Sequence, residues 1–251
     1  MSGDRATFVG EDLAAVVQAI ADVRDTLGQP PVVVGGLAVL ARLSTPHRAT
    51  VDLDLVDRLT GPIPHLELLR AVVGATAVEP AAVLLPTVLG TVKVDVLQIR
   101  QAELDQPSDD PGDRLHATAH AWAHDTATDF TFEVVRRDGA EVVVTTPVAE
   151  PGPLIAMKLQ AVMNRSTDKQ GTDLLDIVRL TLDPGCRTAA LAQIRDVDDG
   201  VAHDMALHVD LWLRRQQPRS LRWIARAGAD DMNADDLDLV AELLENALHR
   251  P

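Results

Sequence analysis

The amino-acid sequence predicts an α+β fold in which an N-terminal domain with a mixed β-sheet precedes an all-helical C-terminal domain. Up to residue 146, short apolar runs of strand length alternate with segments that have helical periodicity. From residue 154 onwards, almost every segment has helical periodicity. The Pro- and Gly-rich stretch PVAEPGP (147–153) lies between these parts, and it predicts a boundary that divides the chain into domains 1–148 and 149–251.

The N-terminal domain is predicted to begin with a helix over Glu11–Leu27, whose apolar residues recur at helical spacing and which ends at a glycine. The apolar run Val32–Val34 predicts a short buried strand, and Gly35-Gly36 turns the chain into a second helix that reaches about residue 43. The remaining predicted elements, in order, are a strand at 50–56, a helix at 64–73, strands at 82–85 and 90–99, a polar loop at 105–113, a helix at 114–124, and a hairpin of strands at 129–136 and 141–146.

The C-terminal domain is predicted as a set of helices, because apolar residues recur at helical spacing in each of its segments. Short stretches rich in Gly, Asp and Pro separate these segments. The predicted helices cover residues 154–164, 173–182, 188–197, 201–215, 219–226 and Ala234–Leu248.

Composition and charge narrow the class of protein. Hydrophobic residues make up 46% of the chain and charged residues 24%, as is usual for a folded soluble protein. The single cysteine, Cys186, excludes an internal disulfide framework. No secretion signal is visible, and no apolar run approaches the roughly 20 residues of a membrane span, so we expect a cytoplasmic protein with no membrane partner. The net charge of −15 argues against a broad basic surface that grips long nucleic acids, but it leaves room for a local basic groove.

A pair of aspartates in the segment TVDLDL (50–55) is the first candidate site. Side chains alternate between the two faces of a strand, so Thr50, Asp52 and Asp54 share one face, while Val51 and the two leucines are expected to point into the core. Two carboxylates that stand close together on one strand face repel each other unless a cation lies between them. Without further context, such a pair is more often a solvated strand face.

The segment VKVDVL (92–97) repeats this design, with Lys93 and Asp95 on the face opposite the three valines. If the two acidic strands are neighbours, Asp95 completes a cluster of three carboxylates with Asp52 and Asp54. Such hard oxygen ligands suit one or two Mg²⁺ ions, with Mn²⁺ as a substitute. Two such ions can activate an attacking hydroxyl and neutralise a leaving pyrophosphate.

A strand, two glycines and the start of a helix precede the acidic strands. The backbone N–H groups and the dipole at a helix N-terminus bind phosphates, which makes Gly35 and Gly36 candidate nucleotide contacts. Arg48, just before the acidic strand, is a further candidate contact to a phosphate. Paired glycines alone are weak evidence, because any tight strand-to-helix turn uses glycine. Their order, followed by the two acidic strands, is more specific.

These motifs resemble those of a known superfamily. The run Gly35-Gly36-Leu37-Ala38, then HRATVDLDL (47–55) and Val94-Asp95-Val96, resembles the polymerase-β-like nucleotidyltransferases. More narrowly, it is similar to the AbiEii/MenT branch, the nucleotidyltransferase toxins of type IV toxin–antitoxin systems. The branch also has a later helical motif with a lysine, an arginine and a close pair of aspartates, which MKLQAVMNR (157–165) and DLLDI (173–177) resemble. The resemblance extends over roughly residues 32–182.

The resemblance implies a polymerase-β-like domain and a helical domain that closes over the nucleotide. It implies that Asp52, Asp54 and Asp95 hold the catalytic Mg²⁺ and that Thr50 supplies a nearby hydroxyl. From the helical domain, it implies that Lys158 contacts the triphosphate and that Asp173 and Asp176 shape the nucleotide site. The family usually has a lysine directly before the first aspartate of that pair, but this chain has Thr172, with Lys169 as the candidate replacement.

The activity implied by the resemblance is Mg²⁺-dependent transfer of a nucleoside monophosphate from an NTP to the 3′ end of tRNA, together with a cognate antitoxin as partner. One alternative keeps the chemistry but changes the acceptor to a small molecule such as an aminoglycoside, which would suit an acidic protein, or to a protein side chain. A second alternative, from another class, is a nucleotide-binding module without catalysis.

The residues of the helical motif also have plain structural interpretations. Lysine is rare in this chain, which weakens the interpretation of Lys158 as an ordinary surface residue. Asp173 and Asp176 are spaced i and i+3, so they face the same way on a helix. Asp173 could equally be an acidic residue that the dipole favours at a helix N-terminus.

Two weaker patterns lie outside the motifs. Three histidines, at 116, 120 and 124, share one helix face, and without a His-Glu-x-x-His pattern or a thiolate they predict a solvent-facing or cleft-lining stripe rather than a zinc site. Arginines interleaved with Trp212 and Trp223 are candidates for RNA binding. The alternative is that the tryptophans are core residues and the arginines are merely solvated. The candidate RNA-binding residues are Arg214, Arg215, Arg219, Arg222 and Arg226.

Overall fold

The computed structural model describes residues 4–45 and 50–249, without the side chains of Thr167 and Asp168. The chain divides into two compact units. The sheet unit comprises the described residues of Met1–Ala41, Thr45–Gln101 and Ala123–Glu150, and the helical unit comprises those of Arg42–Ser44, Ala102–Trp122 and Pro151–Pro251. The sequence predicted two continuous domains, whereas 42–44 and 102–122 belong to the helical unit. Periodicity could not reveal this, because it reports a segment's type and not what the segment packs against.

The described part of the sheet unit contains one mixed sheet with the strand order β1-β7-β8-β2-β3-β6-β5-β4. The pairs β1–β7, β8–β2 and β3–β6 are parallel, and the other neighbours are antiparallel. The predicted α+β class with a mixed sheet is therefore confirmed. The strands are β1 (Asp4–Val9), β2 (Val32–Val34), β3 (Asp52–Asp57), β4 (Thr76–Glu79), β5 (Ala82–Thr87), β6 (Gly90–Gln98), β7 (Thr128–Val135) and β8 (Glu141–Val148), and helices α1 (Glu11–Leu27), α2 (Gly35–Arg42) and α3 (His65–Arg70) lie between them in sequence.

The core of the sheet unit is formed on the apolar face of β3 and β6. Leu53 and Leu55 on β3 and Val94 and Val96 on β6 are buried, as side-chain alternation predicts. Helix α1, whose Ile20 is also buried, contacts β3 and β5 to β8 and covers this face. Because alternate residues point to opposite faces, Asp52 and Asp54 of β3 and Asp95 of β6 point away from this core.

Several strands of the sheet differ from those predicted. Strands β1 and β4, the two edge strands, were not predicted. Every residue of β4 is exposed, so β4 lacks the apolar alternation that reveals a strand. Strand β3 begins at Asp52, two residues later than predicted. The prediction that Val51 points into the core is wrong, because Val51 precedes the paired residues of β3 and is 58% exposed.

The helical unit is packed around one central helix, α6. Residues 151–160 of α6 are all buried, and α6 contacts α7, α8 and α9. Among the described residues, no helix is long and apolar enough to cross a membrane. The helices are α4 (Gln101–Asp105), α5 (Pro111–Asp125), α6 (Pro151–Asn164), α7 (Thr167–Leu182), α8 (Arg187–Arg195), α9 (Asp199–Val209), α10 (Gln217–Arg226) and α11 (Ala234–Leu248), with a π-helical segment at Asp210–Arg215.

Helix α7 begins at Thr167, six residues before the predicted start at residue 173. Glycine is a poor helix former, so Gly171 made this turn look non-helical in the sequence. In the fold, the missing Cβ of Gly171 lets α7 approach α10 so closely that any side chain here would collide with the backbone of Trp223. The predicted helix at 201–215 is likewise divided into α9 and the π-helical segment, and α4 begins inside a stretch for which no helix was predicted.

Candidate active site

The parallel neighbours β3 and β6 bring two of the predicted aspartates side by side. Asp54 pairs in register with Asp95, and two residues earlier on each strand Asp52 pairs with Lys93. Residues in register on adjacent strands share a face of the sheet, and their backbones lie about 5 Å apart. The expectation that the two acidic strands are neighbours is therefore confirmed, and the three aspartates share one face.

The charges on this face are only partly compensated. Within residues 4–45 and 50–249, neither the Asp52 nor the Asp54 carboxylate has a hydrogen-bond or ion-pair partner. Burial raises the pKa of the Asp95 carboxyl, and the neighbouring charge of Asp54 raises it further, while Lys93 acts in the opposite direction. A cation bound between the Asp54 and Asp95 carboxylates would reduce the repulsion between them.

Lys93 is a functional candidate that the sequence analysis did not include among the site residues. Its Nζ atom lies 3.2 Å from Oδ2 of Asp95 and 3.1 Å from Oε1 of Glu79, on β4. Burial alone would lower the pKa of Lys93, but the hydrogen bonds to these two carboxylates outweigh it, so the pKa is raised. The signal was available in the sequence, because Lys93 shares a strand face with Asp95 in a chain with few lysines.

Gly35 is required where α2 begins beside Asp54. Its φ of +65° lies in the left-handed region that favours glycine. An added Cβ would also lie 2.7 Å from the Cβ of Asp54 and closer still to its carboxylate. The first turn of α2, with Gly36 next in sequence, therefore lies directly against the Asp54 side chain, as the predicted order of motifs requires.

Thr50 and Arg48 were also predicted to belong to this site, and the structure describes only Thr50. Thr50 is buried, and its hydroxyl donates a 3.2 Å hydrogen bond to the backbone carbonyl of Asp52, so it supports the start of β3. Thr50 precedes β3 and is not part of its face. Arg48 lies outside the described residues, so its predicted contact to a phosphate stays a prediction.

The fit of this face to Mg²⁺ rests on the chemistry of its donors. Among the described residues, no three His, Cys, Asp or Glu side chains are arranged so that they could hold a metal ion as they stand. Magnesium commonly takes only one or two carboxylates and completes its coordination with water and substrate phosphates. Asp54 and Asp95 match that requirement, and the Lys93 ammonium already occupies Asp95 as a cation. The residues therefore fit a Mg²⁺ ion that is bound together with substrate.

The three predicted residues of the helical motif meet in the helical unit. The Nζ atom of Lys158 lies 2.6 Å from Oδ1 of Asp173 and 2.8 Å from Oδ2 of Asp176, and the Lys158 side chain is only 7% exposed. Burial alone would lower the pKa of Lys158, but the two carboxylates more than offset it, so the pKa is raised. Lys158 is therefore not a surface lysine, and its ammonium is already paired. Its predicted contact to the triphosphate stays a prediction.

Arg165, directly after α6, contacts this buried cluster from a more exposed position. Its Nε atom lies 3.3 Å from Oδ2 of Asp173, an atom that is buried without a hydrogen-bond partner. Unlike Lys158, Arg165 is partly exposed. Lys169, the candidate replacement for the family lysine, is exposed on α7.

The arginines proposed for RNA binding do not form one uniform patch. Arg214 pairs with Glu245 and Asp238, each at 2.8 Å, so much of its charge is compensated. Arg215 is exposed near Asp210. The exposed positive charge of α10 comes from Arg219, Arg222 and Arg226, which share one helix face.

The tryptophans beside these arginines are core residues. Trp212 and Trp223 are both buried, with ring centroids 6.1 Å apart, and the guanidinium of Arg219 lies 4.3 Å from the centroid of the Trp223 ring. The interpretation of these rings as stacking platforms for RNA bases is therefore wrong, since buried rings cannot accept a base. The arginine face of α10 remains as a candidate for phosphate contacts.

The histidine stripe of α5 is only partly solvent-facing. His120 is buried, where its Nδ1 atom contacts the backbone carbonyl of His116 at 2.6 Å. Burial, together with the neighbouring charges of His116 and Arg165, lowers the pKa of His120 to about 3. The expected solvent-facing or cleft-lining stripe is therefore not solvent-facing at His120, which is a buried, neutral residue.

Comparisons with known proteins do not identify a function for this chain. No family model matches the sequence, and no curated protein matches it. A crystal structure of an antigenic nucleotidyltransferase-like protein from Paracoccidioides brasiliensis is 20% identical to this chain, with a TM-score of 0.39, and the match covers 79% of this chain and 94% of that one. A likeness this low supports no argument about fold or function.

Proposed function

We propose that this protein is a divalent-cation-dependent nucleotidyltransferase, which transfers a nucleoside monophosphate from an NTP to an acceptor and releases pyrophosphate. One observation carries this proposal: Asp54 and Asp95 stand in register on parallel strands, beside the glycine turn that begins α2. Asp52 shares this face, and among the described residues neither its carboxylate nor that of Asp54 has a hydrogen-bond or ion-pair partner. Uncompensated carboxylates beside a helix N-terminus can bind a cation and a phosphate together.

The residues of this face have distinct proposed roles. Mg²⁺ would supply positive charge to polarise the α-phosphate and stabilise the pyrophosphate leaving group. Asp52, Asp54 and Asp95 would hold that ion, and the backbone N–H groups of Gly35 and Gly36 would bind phosphate oxygens. The acceptor oxygen forms a bond to the α-phosphorus as the bond from that phosphorus to the bridging oxygen breaks. The proton of the acceptor hydroxyl passes to a carboxylate, for which we propose Asp95.

The helical unit is proposed to supply further nucleotide contacts. Lys158 holds Asp173 and Asp176 in one buried cluster, and Arg165 is the more exposed cation beside it. We propose that this cluster fixes the geometry from which Lys158 or Arg165 contacts the triphosphate. Thr172 stands where the AbiEii/MenT branch usually has lysine, so Lys169 is the proposed replacement.

The acceptor and the biological role are narrower proposals. We propose the 3′ end of tRNA as acceptor, a toxin role in the cytoplasm and a cognate antitoxin as partner, by resemblance to the AbiEii/MenT branch. The exposed arginine face of α10 supports an acceptor that carries phosphates. The net charge of −15 instead favours a cationic acceptor such as an aminoglycoside, and this is the second candidate substrate class.

Label transfer from NTPs tests this proposal. Purified protein is incubated with each NTP labelled at the α-phosphate, Mg²⁺ or Mn²⁺, and in turn total RNA, an aminoglycoside and a protein extract. We expect label in the tRNA fraction, and its loss in Asp54→Asn but not in the matched control Asp129→Asn, which alters an exposed aspartate of β7. Label in none of the acceptors, with nucleotide binding retained, would support the alternative of a non-catalytic nucleotide-binding module.

A further inference from the structure

A row of carboxylates crosses the part of the sheet formed by β4, β5, β6 and β3. Glu79 on β4 is registered with Ala82 on β5, Ala82 with Asp95 on β6, and Asp95 with Asp54 on β3. Residues in register share a face, so the three acids lie on the same side of the sheet, separated at one place by a small alanine. Lys93 lies two residues before Asp95 on β6, on the same face.

Lys93 is shared between two carboxylates in different surroundings. Its bond to Asp95 joins two side chains that are both largely shielded from water, with 20% and 21% exposure. Its bond to Glu79 reaches a carboxylate at the edge of the sheet that is 60% exposed. Asp54, the next acid of the row, has no ion pair within the described residues. The ammonium therefore sits on the acid that neighbours Asp54, where a metal ion would also bind.

Two cations that bind the same carboxylate oxygen repel each other, so each binds more weakly than it would alone. An ammonium at 3.2 Å engages Oδ2 of Asp95 and repels any second cation that approaches that oxygen. Glu79 offers the ammonium a second position only slightly away, because the same Nζ atom already lies 3.1 Å from it. A small movement of the Lys93 side chain would release Asp95 and leave the lysine paired.

We propose that Lys93 is the resident counter-ion of this acidic face, which a divalent cation displaces from Asp95 and which Glu79 then holds. This inference rests on the proposed function, since it assumes that the face binds a divalent cation. Lys93 acts here as a positioning residue, which keeps the carboxylates together in the metal-free protein and weakens metal binding by competition. Glu79 lowers the cost of that displacement.

The test is Mn²⁺ binding to the full chain, measured by calorimetry for the wild type, Lys93→Met, Glu79→Gln and the double variant. We expect Lys93→Met to bind Mn²⁺ about fivefold more tightly, a change typical of a strong ion pair between partly exposed groups. Glu79→Gln should bind more weakly, because the displaced ammonium loses its second carboxylate. In the Lys93→Met background, Glu79→Gln should change the affinity little. Arg137→Met, which makes the same change in net charge at an exposed residue between β7 and β8, is the control.

The cycle separates competition from a general charge effect. If Glu79→Gln weakens Mn²⁺ binding equally with and without Lys93, Glu79 acts only through its own charge and the inference is overturned. Tighter binding in Arg137→Met to the same extent, or unchanged affinity in Lys93→Met, would also overturn it, although the metal site would stand. No Mn²⁺ binding by any folded variant would overturn both the inference and the proposed metal site. Lys93→Gln provides a polar replacement in case Lys93→Met is poorly folded by circular dichroism.

Discussion

At the scale of single residues, one strand gives its aspartates different tasks. Asp54 lies against Gly35 without an ion pair among the described residues, whereas Asp57 at the end of β3 is 2% exposed. The Asp57 carboxylate accepts hydrogen bonds from the backbone N–H groups of Leu59 and His65, each at 2.8 Å. Asp57 therefore fixes the turn into α3, and Asp54 is the residue available for function.

These roles predict opposite effects of the same substitution. Asp54→Asn removes a carboxylate that is proposed to bind the metal, so it should abolish Mn²⁺ binding. It also removes a repulsion with Asp95, so the melting temperature should be unchanged or higher. Asp57→Asn leaves buried N–H groups with a weaker partner, so it should lower the free energy of unfolding by about 1–3 kcal/mol. Thermal unfolding and Mn²⁺ titration check both variants. Loss of stability in Asp54→Asn with metal binding intact would reverse the assignment.

His120 predicts a dependence of stability on pH. Its pKa is lowered to about 3 in the folded protein by burial, whereas an unfolded histidine titrates near pH 6.5. Between these values the unfolded chain binds more protons, so stability should fall as the pH falls below about 6.5, by about 1.4 kcal/mol per pH unit. Denaturant unfolding between pH 7 and 5 should show a smaller decline in His120→Gln than in the wild type. The exposed His203→Gln is the control, and an unchanged decline in His120→Gln would refute the prediction.

At the scale of elements, periodicity located most of the structure. The bounds of α1, β2 and α11 match the prediction at both ends. The edge strand β4 could not be found because none of its residues is buried, and the first turn of α7 was hidden by Gly171. Alternation placed the three aspartates on one face, but sequence could not show that Lys93 bridges Asp95 and Glu79, since that depends on the pairing of β4, β5 and β6.

The pairing of α6 with α7 predicts a large effect of removing Lys158. Lys158→Met removes the buried cation that pairs with Asp173 and Asp176 and leaves Asp173 only the ion pair with Arg165, so the free energy of unfolding should fall by about 3–5 kcal/mol. Adding Asp173→Asn and Asp176→Asn to Lys158→Met should recover much of that loss, because the cluster then contains no buried carboxylate. Urea unfolding measures both variants. A Lys158→Met protein as stable as the wild type would mean that Lys158 is not held in this cluster.

At the scale of the whole molecule, the chain combines two units with a strongly acidic charge of −15. The candidate metal face belongs to the sheet unit, and the exposed arginines of α10 belong to the helical unit. Composition predicted that any nucleic-acid contact must be local, and most of the exposed charge of α10 does lie on one helix face. The assignment of segments to units could not be predicted, because it depends on contacts between residues far apart in sequence.

This division predicts separable effects on the two substrates. Replacing Arg219, Arg222 and Arg226 together with alanine should abolish label transfer to tRNA and spare NTP binding. Because few phosphate contacts are available, the logarithm of tRNA affinity should fall with the logarithm of salt concentration along a slope no steeper than about −3. Filter binding at several salt concentrations and calorimetry with NTP measure these quantities. A triple variant that labels tRNA at the wild-type rate would place the RNA contacts elsewhere.

The central claim is that the face shared by β3 and β6 binds a divalent cation together with an NTP. Crystals of the full chain, grown with Mn²⁺ and a non-hydrolysable NTP analogue, would locate the ion by its anomalous scattering. We predict an anomalous peak within coordination distance of the Asp54 and Asp95 carboxylates, with Lys93 moved from Asp95 towards Glu79 and phosphates against Gly35 and Gly36. A bound nucleotide whose Mn²⁺ lies away from both carboxylates would contradict the account.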